Sequence, residues 1–319
     1  MGELGIVFTG VLPIYGAILL GLLLRRGRVL TREVDASMLR VVFNVLIPCL
    51  IWDSIIGNPA LDDPRNTWLP PLVGFTSVAG GVLIAWSLAG LAGLKESLAK
   101  RGFALASGLY NWAYLAFPIC VIMFGKETVG VLFVFNLGVE VCLWTVGLMV
   151  LTGRGVKDSW KKLCNGPVIG IVSALIFNAL GADGWLPEFV FKAISLLGAS
   201  AVPIGLLLVG ATFWDHLREA AVFKYVRLGL SASFLRLGLL PALFMGLAVS
   251  FPFSPELKAV IVVQAAMPSA VFPVILAKHY GGDVMTTLRS VLWTVTLGMI
   301  TMPLWIHFGL RWFGIEVTQ

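Results

Sequence analysis

Hydrophobic positions along this chain do not alternate with polar ones; they gather into blocks of about twenty, cut by short clusters of charge, glycine and proline. A block of that length is what an α-helix needs to cross a hydrocarbon core about 30 Å thick, where every backbone group must be satisfied within the protein. Cutting the sequence at its charged, Pro/Gly-rich breaks predicts ten spans, at 5–24, 37–56, 70–93, 103–124, 129–151, 167–182, 190–213, 228–250, 258–278 and 286–308. The fold class expected is therefore all-α and integral to a membrane.

Composition closes off the alternatives. Of 319 residues, 58% are apolar and 13% charged, with a mean hydropathy of +0.93. Such a chain has too few polar side chains to cover a water-facing surface, so a soluble enzyme is excluded. The net charge of +6 is read through topology, because lysine and arginine mark cytoplasmic loops. Nucleic acid is no expected partner; the lipid bilayer is. With an even number of spans both termini share a side, and placing them outside puts 17 of the 23 basic residues in the five inner loops. These are Arg25 to Arg40, Lys95 to Arg101, Arg154 to Lys162, Arg218 to Arg227, and Lys278 with Arg289. Five stay outside (Arg65, Lys126, Lys192, Lys258, Arg311) and Arg236 falls within a span. The expectation is a multi-pass protein of the cell (inner) membrane with both termini outside. No basic stretch precedes the first span, which is expected to be retained. Cys49, Cys120, Cys142 and Cys164 have no metal-site spacing and read as packing residues.

Prolines disclose an internal repeat. Pro48 in the second span and Pro203 in the seventh lie 155 residues apart, as do Pro118 in the fourth and Pro273 in the ninth. Around the second pair Phe117-Pro118-Ile119 answers Phe272-Pro273-Val274, and Gly125 answers Gly281. Five spans per copy is odd, so the second copy enters from the opposite side: an inverted 5+5 repeat, residues 1–152 and 167–319, joined by a cytoplasmic linker at 153–166. Proline in a span frees backbone groups that lipid does not satisfy, so these breaks are expected to mark an interior.

Asn111 to Pro118 and Pro268 to Pro273 then reach mid-membrane from opposite directions as two interrupted, crossing helices. Helix N-termini at such a crossing attract carboxylates, and the C-termini beside them attract cations. Pro118, Pro268 and Pro273 define the crossover. The polar residues at its depth are Tyr110, Asn111, Tyr114, Asn136, Gln264 and Ser269. Asn111 reads as a ligand contact; Gln264 reads equally as a ligand contact or as a tie for broken backbone ends.

Two ionisable residues lie well inside spans: Glu140, about 16 Å deep, and Arg236, about 12 Å deep, counting 1.5 Å per residue. A Glu140–Arg236 bridge is expected. The functional alternatives are that Glu140 exchanges a proton as substrate leaves, or that Arg236 attracts an anionic substrate. H+ or Na+ are the coupling ions to consider, and no cofactor is expected. Asp53, His216, His279 and His307 read as interfacial, while Asp215 and Asp283 show no partner in the spacing. Tryptophans near span ends, such as Trp68, Trp160, Trp185, Trp214 and Trp312, read as interface anchors.

Across most of its length the sequence resembles the auxin efflux carrier family, which includes plant auxin carriers and bacterial malonate-type permeases. Asn111-Trp112-Ala113-Tyr114-Leu115-Ala116-Phe117-Pro118 is similar to that family's fourth-span line, with Ala116 where glycine is usual. Ala265-Ala266-Met267-Pro268 followed by Ala277-Lys278-His279-Tyr280-Gly281 is similar to its ninth-span pattern, with Phe272 where asparagine is common. Asn44 to Pro48 and the pair Asn136 and Trp144 extend the likeness. The resemblance implies a ten-helix fold of the kind seen in the NhaA antiporter and the bile-acid symporters. Helices 1, 2, 6 and 7 would form a scaffold through which a homodimer is implied, and helices 3–5 and 8–10 a mobile transport domain. The function implied is secondary or facilitative transport of a small organic anion by elevator-type alternating access. A sodium-coupled, bile-acid-symporter-like carrier is the alternative, and an ion channel or intramembrane enzyme ranks below it. Neither H-E-x-x-H, G-x-S-x-G nor a phosphate-binding G-x-x-x-x-G-K-[ST] occurs, so an enzyme and an ATP-driven pump are not expected.

Overall fold

The computed structural model describes residues 3–155, 157, 159–181, 184–217 and 222–315. Arg218, counted above among the inner basic residues, lies outside the described residues, as does the side chain of His216. The described chain is helical: α1 (Glu3–Arg26), α2 (Arg32–Ile55), α3 (Arg65–Ser87), α4 (Ser97–Gly108), α5 (Ala116–Met123), α6 (Lys126–Thr152), α7 (Gly166–Ala179), α8 (Glu188–Leu217), α9 (Val226–Val249), α10 (Pro255–Ala266), α11 (Phe272–Tyr280) and α12 (Val284–Phe313).

Seven of these, α1, α2, α3, α6, α8, α9 and α12, are long and apolar enough to cross a membrane. The protein is therefore a multi-pass, all-helical membrane protein. The three remaining expected spans take another form: α7 has 14 residues, about 21 Å of helix, and the fourth and ninth are each a pair of short helices, α4 with α5 and α10 with α11.

Proline does not break helices uniformly. Pro203 leaves α8 continuous over 30 residues, and Pro13, Pro70, Pro71 and Pro303 also sit inside unbroken helices. Pro48 follows a π-helical turn at Val42–Leu46, which takes up the missing donor as a local widening of α2. The expectation that the Pro48 and Pro203 pair marks breaks is corrected on this point: one proline deletes one hydrogen bond, and a helix flanked by full turns absorbs the loss.

Close packing rests on small residues, as expected where lipid removes the hydrophobic drive between helices. A Cβ on Gly210 of α8 would overlap the Ile18 carbonyl oxygen of α1, and one on Gly138 of α6 would overlap that of Pro71 on α3. At the end of α1, buried Arg25 pairs with Asp35 of α2 and, at 3.5 Å, with Asp215 of α8, which also takes Arg32 at 3.2 Å. Asp215 thus has the partners that spacing did not disclose. Asp283 caps α12, accepting from the Thr286 N–H at 3.0 Å and the Thr286 hydroxyl at 2.7 Å.

Candidate functional site

The non-helical stretches after α4 and after α10 meet each other. Tyr110 and Ser269 form an antiparallel bridge; the Asn111 N–H donates to the Pro268 carbonyl at 2.8 Å, and the Ala270 N–H to that of Leu109 at 3.1 Å. Each break thereby supplies the partners the other lost, which is how extended backbone survives at membrane depth. The chain restarts with Pro118 in the first turn of α5 and Pro273 at the second position of α11, where a missing N–H costs little. Gly298 of α12 gives Pro268 room: a Cβ there would approach the proline ring to 2.8 Å.

On one side of this junction lies a cavity of about 400 Å³. Phe43 and Asn44 of α2, Asn111 to Tyr114, Glu140 and Trp144 of α6, Lys161 and Lys162, Cys164 to Pro167 and Ala270 to Phe272 surround it. Aromatic rings form its walls, with Phe43 edge-on to Tyr114 at 5.7 Å and Phe272 edge-on to Trp112 and Trp144 at 6.2 and 5.8 Å. The α11 N-terminus opens onto it without a side-chain cap, and the α7 N-terminus adjoins it, capped by Asn165. Glu140 accepts from the Trp144 indole at 3.0 Å and the Asn165 amide at 3.4 Å. Lys161 and Lys162 complete the lining. A compact space with aromatic walls, helix N-termini, two lysines and one glutamate in its lining suits a small charged organic molecule.

The sequence-predicted site residues divide. Asn111 and Tyr114 line this cavity together with Glu140. The Asn111 side-chain oxygen accepts from the Tyr114 N–H at 3.1 Å, leaving its amide NH₂ without a bond among the described residues. Asn136, Gln264 and Ser269 are buried behind it and are not part of its lining. The Gln264 amide donates to the Asn136 oxygen at 2.8 Å and to the Trp112 carbonyl at 3.4 Å, and the Asn136 amide donates to the same carbonyl at 3.3 Å. Ser269 receives the Thr294 hydroxyl oxygen on its N–H at 3.3 Å. In this structure Asn136 and Gln264 hold the Trp112 carbonyl of the broken backbone, and Thr294 holds the Ser269 N–H, the Ser269 hydroxyl having no partner among the described residues. Tyr110 turns the other way: its hydroxyl meets that of Ser77 at 2.8 Å, and with Gln264 it lines a second, apolar cavity of about 490 Å³ between α3 and α9.

The expected Glu140–Arg236 bridge does not form. Arg236 is fully buried; it donates to the Ala265 carbonyl at 2.7 Å and lies over the Tyr110 ring, across the junction from Glu140. Depth along a helix does not fix which side of the helix a residue occupies, and here two residues of similar expected depth meet different partners. Nor does Arg236 line the cavity that holds Asn111.

Sequence reasoning missed Phe43, Lys161, Lys162 and Asn165, and took Cys164, which lines the same cavity and is exposed, for a packing residue. One local signal was overlooked: Asn165 stands directly before Gly166-Pro167, the signature of a capped helix start. Three π-helical turns, Val42–Leu46, Leu143–Gly147 and Leu235–Leu239, carry Asn44, Trp144 and Arg236 to the junction. Such turns concentrate at functional sites, but no residue pattern announces them.

Comparison with known proteins gives a consistent picture. The family described as "Membrane transport protein" matches residues 6–159 and 155–306. An uncharacterized transporter of Methanothermobacter thermautotrophicus is 26% identical over 300 residues, 92% of this chain and 96% of that one. Another from Methanocaldococcus jannaschii is 25% identical over 281 residues, 86% and 90% of the two chains. Auxin efflux carrier component 8 of Arabidopsis thaliana is 27% identical over 134 residues, 40% of this chain and 35% of the plant protein.

Proposed function

We take as premise that this chain belongs to the membrane transport protein family, that of the auxin efflux carriers and of transporters rather than enzymes, and propose that it carries a small organic anion by secondary or facilitative transport. The observation that carries the reading is the 400 Å³ cavity against the paired breaks, where the unbonded Asn111 amide, an uncapped helix N-terminus and two lysines face one space. These groups complement a carboxylate, and the aromatic walls complement the short apolar body attached to it.

Alternating access of elevator type belongs to the same proposal. In this reading ten segments cross the membrane as an inverted 5+5 repeat, with α4–α5 and α10–α11 as its crossed, broken members. The packing supports it: α1 lies along α8 as α7 lies along α2, the exchange that a twofold axis in the membrane plane would produce. It also supports a scaffold of α1, α2, α7 and α8 beside a transport unit of α3–α6 and α9–α12, since the main helix contacts fall within these two sets. The cavity lies where α2 and α7 of the first meet the junction of the second, so sliding one set past the other would move a bound anion relative to the membrane. The proposal further includes an inner-membrane location with both termini outside and a homodimer through the scaffold.

Uptake of radiolabelled carboxylates into liposomes, run beside electrical recording, tests the carrier. Saturable uptake accelerated by unlabelled substrate on the far side is the expected result; large currents without such counterflow would replace it with a pore.

A further inference from the structure

Arg236 is the one described charged side chain with no exposed surface, at 0%. The ion pairs among the described residues leave it out. Its Nη2 donates to the carbonyl of Ala265, in the last turn of α10, at 2.7 Å, while Nε and Nη1 have no partner. The guanidinium carbon lies 5.2 Å from the centre of the Tyr110 ring and 6.0 Å from that of Phe244. A lone buried cation needs compensation, and two sources are present. The last-turn carbonyls of α10 form the negative end of its dipole, and the faces of two aromatic rings add to it. α4 also ends at this junction, at Gly108, and packs against the π-helical turn that holds Arg236. Two helices thus direct negative ends into a buried interior, and the protein places a covalently attached cation there.

We propose that Arg236 is a resident cation of the crossing: it neutralises the C-terminal end of α10 where a bound metal ion would otherwise be required, so that the carrier works without Na+ at this place. This deepens the carrier reading, on which the notion of coupling rests, by closing one site at the crossing to one of its two candidate ions. The chemistry is specific. A sodium ion offered to the Ala265 carbonyl would have to share it with a guanidinium already bonded there, and like charges in a buried site exclude one another.

The test uses the purified full-length protein in detergent and reads melting temperature in sodium chloride against choline chloride at equal ionic strength. Wild type is expected to melt at the same temperature in both salts. Arg236→Gln and Arg236→Ala are expected to melt several degrees lower in choline and to regain part of the loss, saturably, with sodium or with millimolar guanidinium, the ion that the missing side chain carried. Arg236→Lys is expected to keep more than half of the wild-type stability over Arg236→Gln. A merely structural arginine would lower melting equally in every salt. Saturable stabilisation of wild type by sodium, an Arg236→Gln variant that melts with wild type, or variants indifferent to every cation would each overturn the proposal. Should Arg236→Ala fail to fold, the wild-type salt comparison and the lysine and glutamine variants still decide. None of these measurements reads flux, so their failure leaves the carrier standing, whereas absence of counterflow in liposomes would overturn the carrier and leave the cation assignment intact.

Discussion

Asn111→Asp separates a ligand contact from a backbone tie at one position. In the native protein the Asn111 oxygen holds the Tyr114 N–H at 3.1 Å, while its NH₂ has no bond among the described residues and the residue lines the cavity. The aspartate keeps the oxygen for Tyr114 and replaces the donor with a charged acceptor. A hydrogen bond to a charged group contributes about 1.5–3 kcal/mol, so its loss alone weakens carboxylate binding by roughly 10- to 150-fold. Repulsion adds to this: two carboxylates about 4 Å apart at an effective dielectric of about 20 oppose each other by up to about 4 kcal/mol. Asn111→Ala removes donor and tie together, so it loses the binding term and about 1 kcal/mol of stability as well. Calorimetric titration of the purified protein with the carboxylate that most raises its melting temperature gives the affinities, and unliganded melts give the stabilities. The expected order of affinity is wild type, then alanine, then aspartate, and in unliganded melts both variants fall below wild type, the alanine through loss of the tie and the aspartate through a second carboxylate in the cavity that Glu140 lines. An aspartate variant that binds within twofold of wild type would refute the assignment of Asn111 to the substrate, and an alanine variant that melts with wild type would refute the account of the tie.

Glu140→Gln removes the negative charge lining the cavity while preserving an acceptor for Trp144 and Asn165; carboxylate affinity is expected to rise several-fold at neutral pH. Wild-type affinity should rise as pH falls, because protonating Glu140 removes the same repulsion, whereas the glutamine variant should be flat; titrations across pH check both. Gly138→Ala places a methyl group on the Pro71 carbonyl of α3, and because backbone yields little the expected cost is about 1–3 kcal/mol. Gly16→Ala, whose added Cβ meets nothing within 4 Å, is the matched control and should leave the melting temperature unchanged or slightly raised. Arg25→Ala leaves Asp35 and Asp215 facing each other in a partly buried cluster, and roughly 3 kcal/mol should be lost; melts in low and high salt should show the loss to persist when screening is strong.

The repeat of Pro118 and Pro273 at one offset located the two breaks, because a proline at a helix start leaves its mark in the text. Pro48 and Pro203, read by the same rule, were misleading, since an interior proline is also compatible with a continuous helix. Asn111 and Tyr114 were found because polar groups at membrane depth are few. Asn136, Gln264 and Ser269 were found for the same reason; Gln264, read equally as a ligand contact or a backbone tie, bonds to Asn136 and to the Trp112 carbonyl, and none of the three lines the cavity that holds Asn111.

What the sequence determined by itself was the solvent. Blocks of about twenty apolar residues have no stable arrangement but helices in lipid, and the motifs near Asn111 and Pro268 tied those helices to a family of carriers. Which polar groups share a space was decided by the tertiary structure alone. Helix rise converts residue number into depth, but the direction in which a side chain leaves its helix, and what stands opposite, depends on how every neighbouring helix packs. Glu140 and Arg236, a few ångströms apart in expected depth, meet different partners, the Trp144 indole and the Asn165 amide for one and the Ala265 carbonyl for the other, while Lys161 and Asn165, from the linker, complete the cavity beside Glu140.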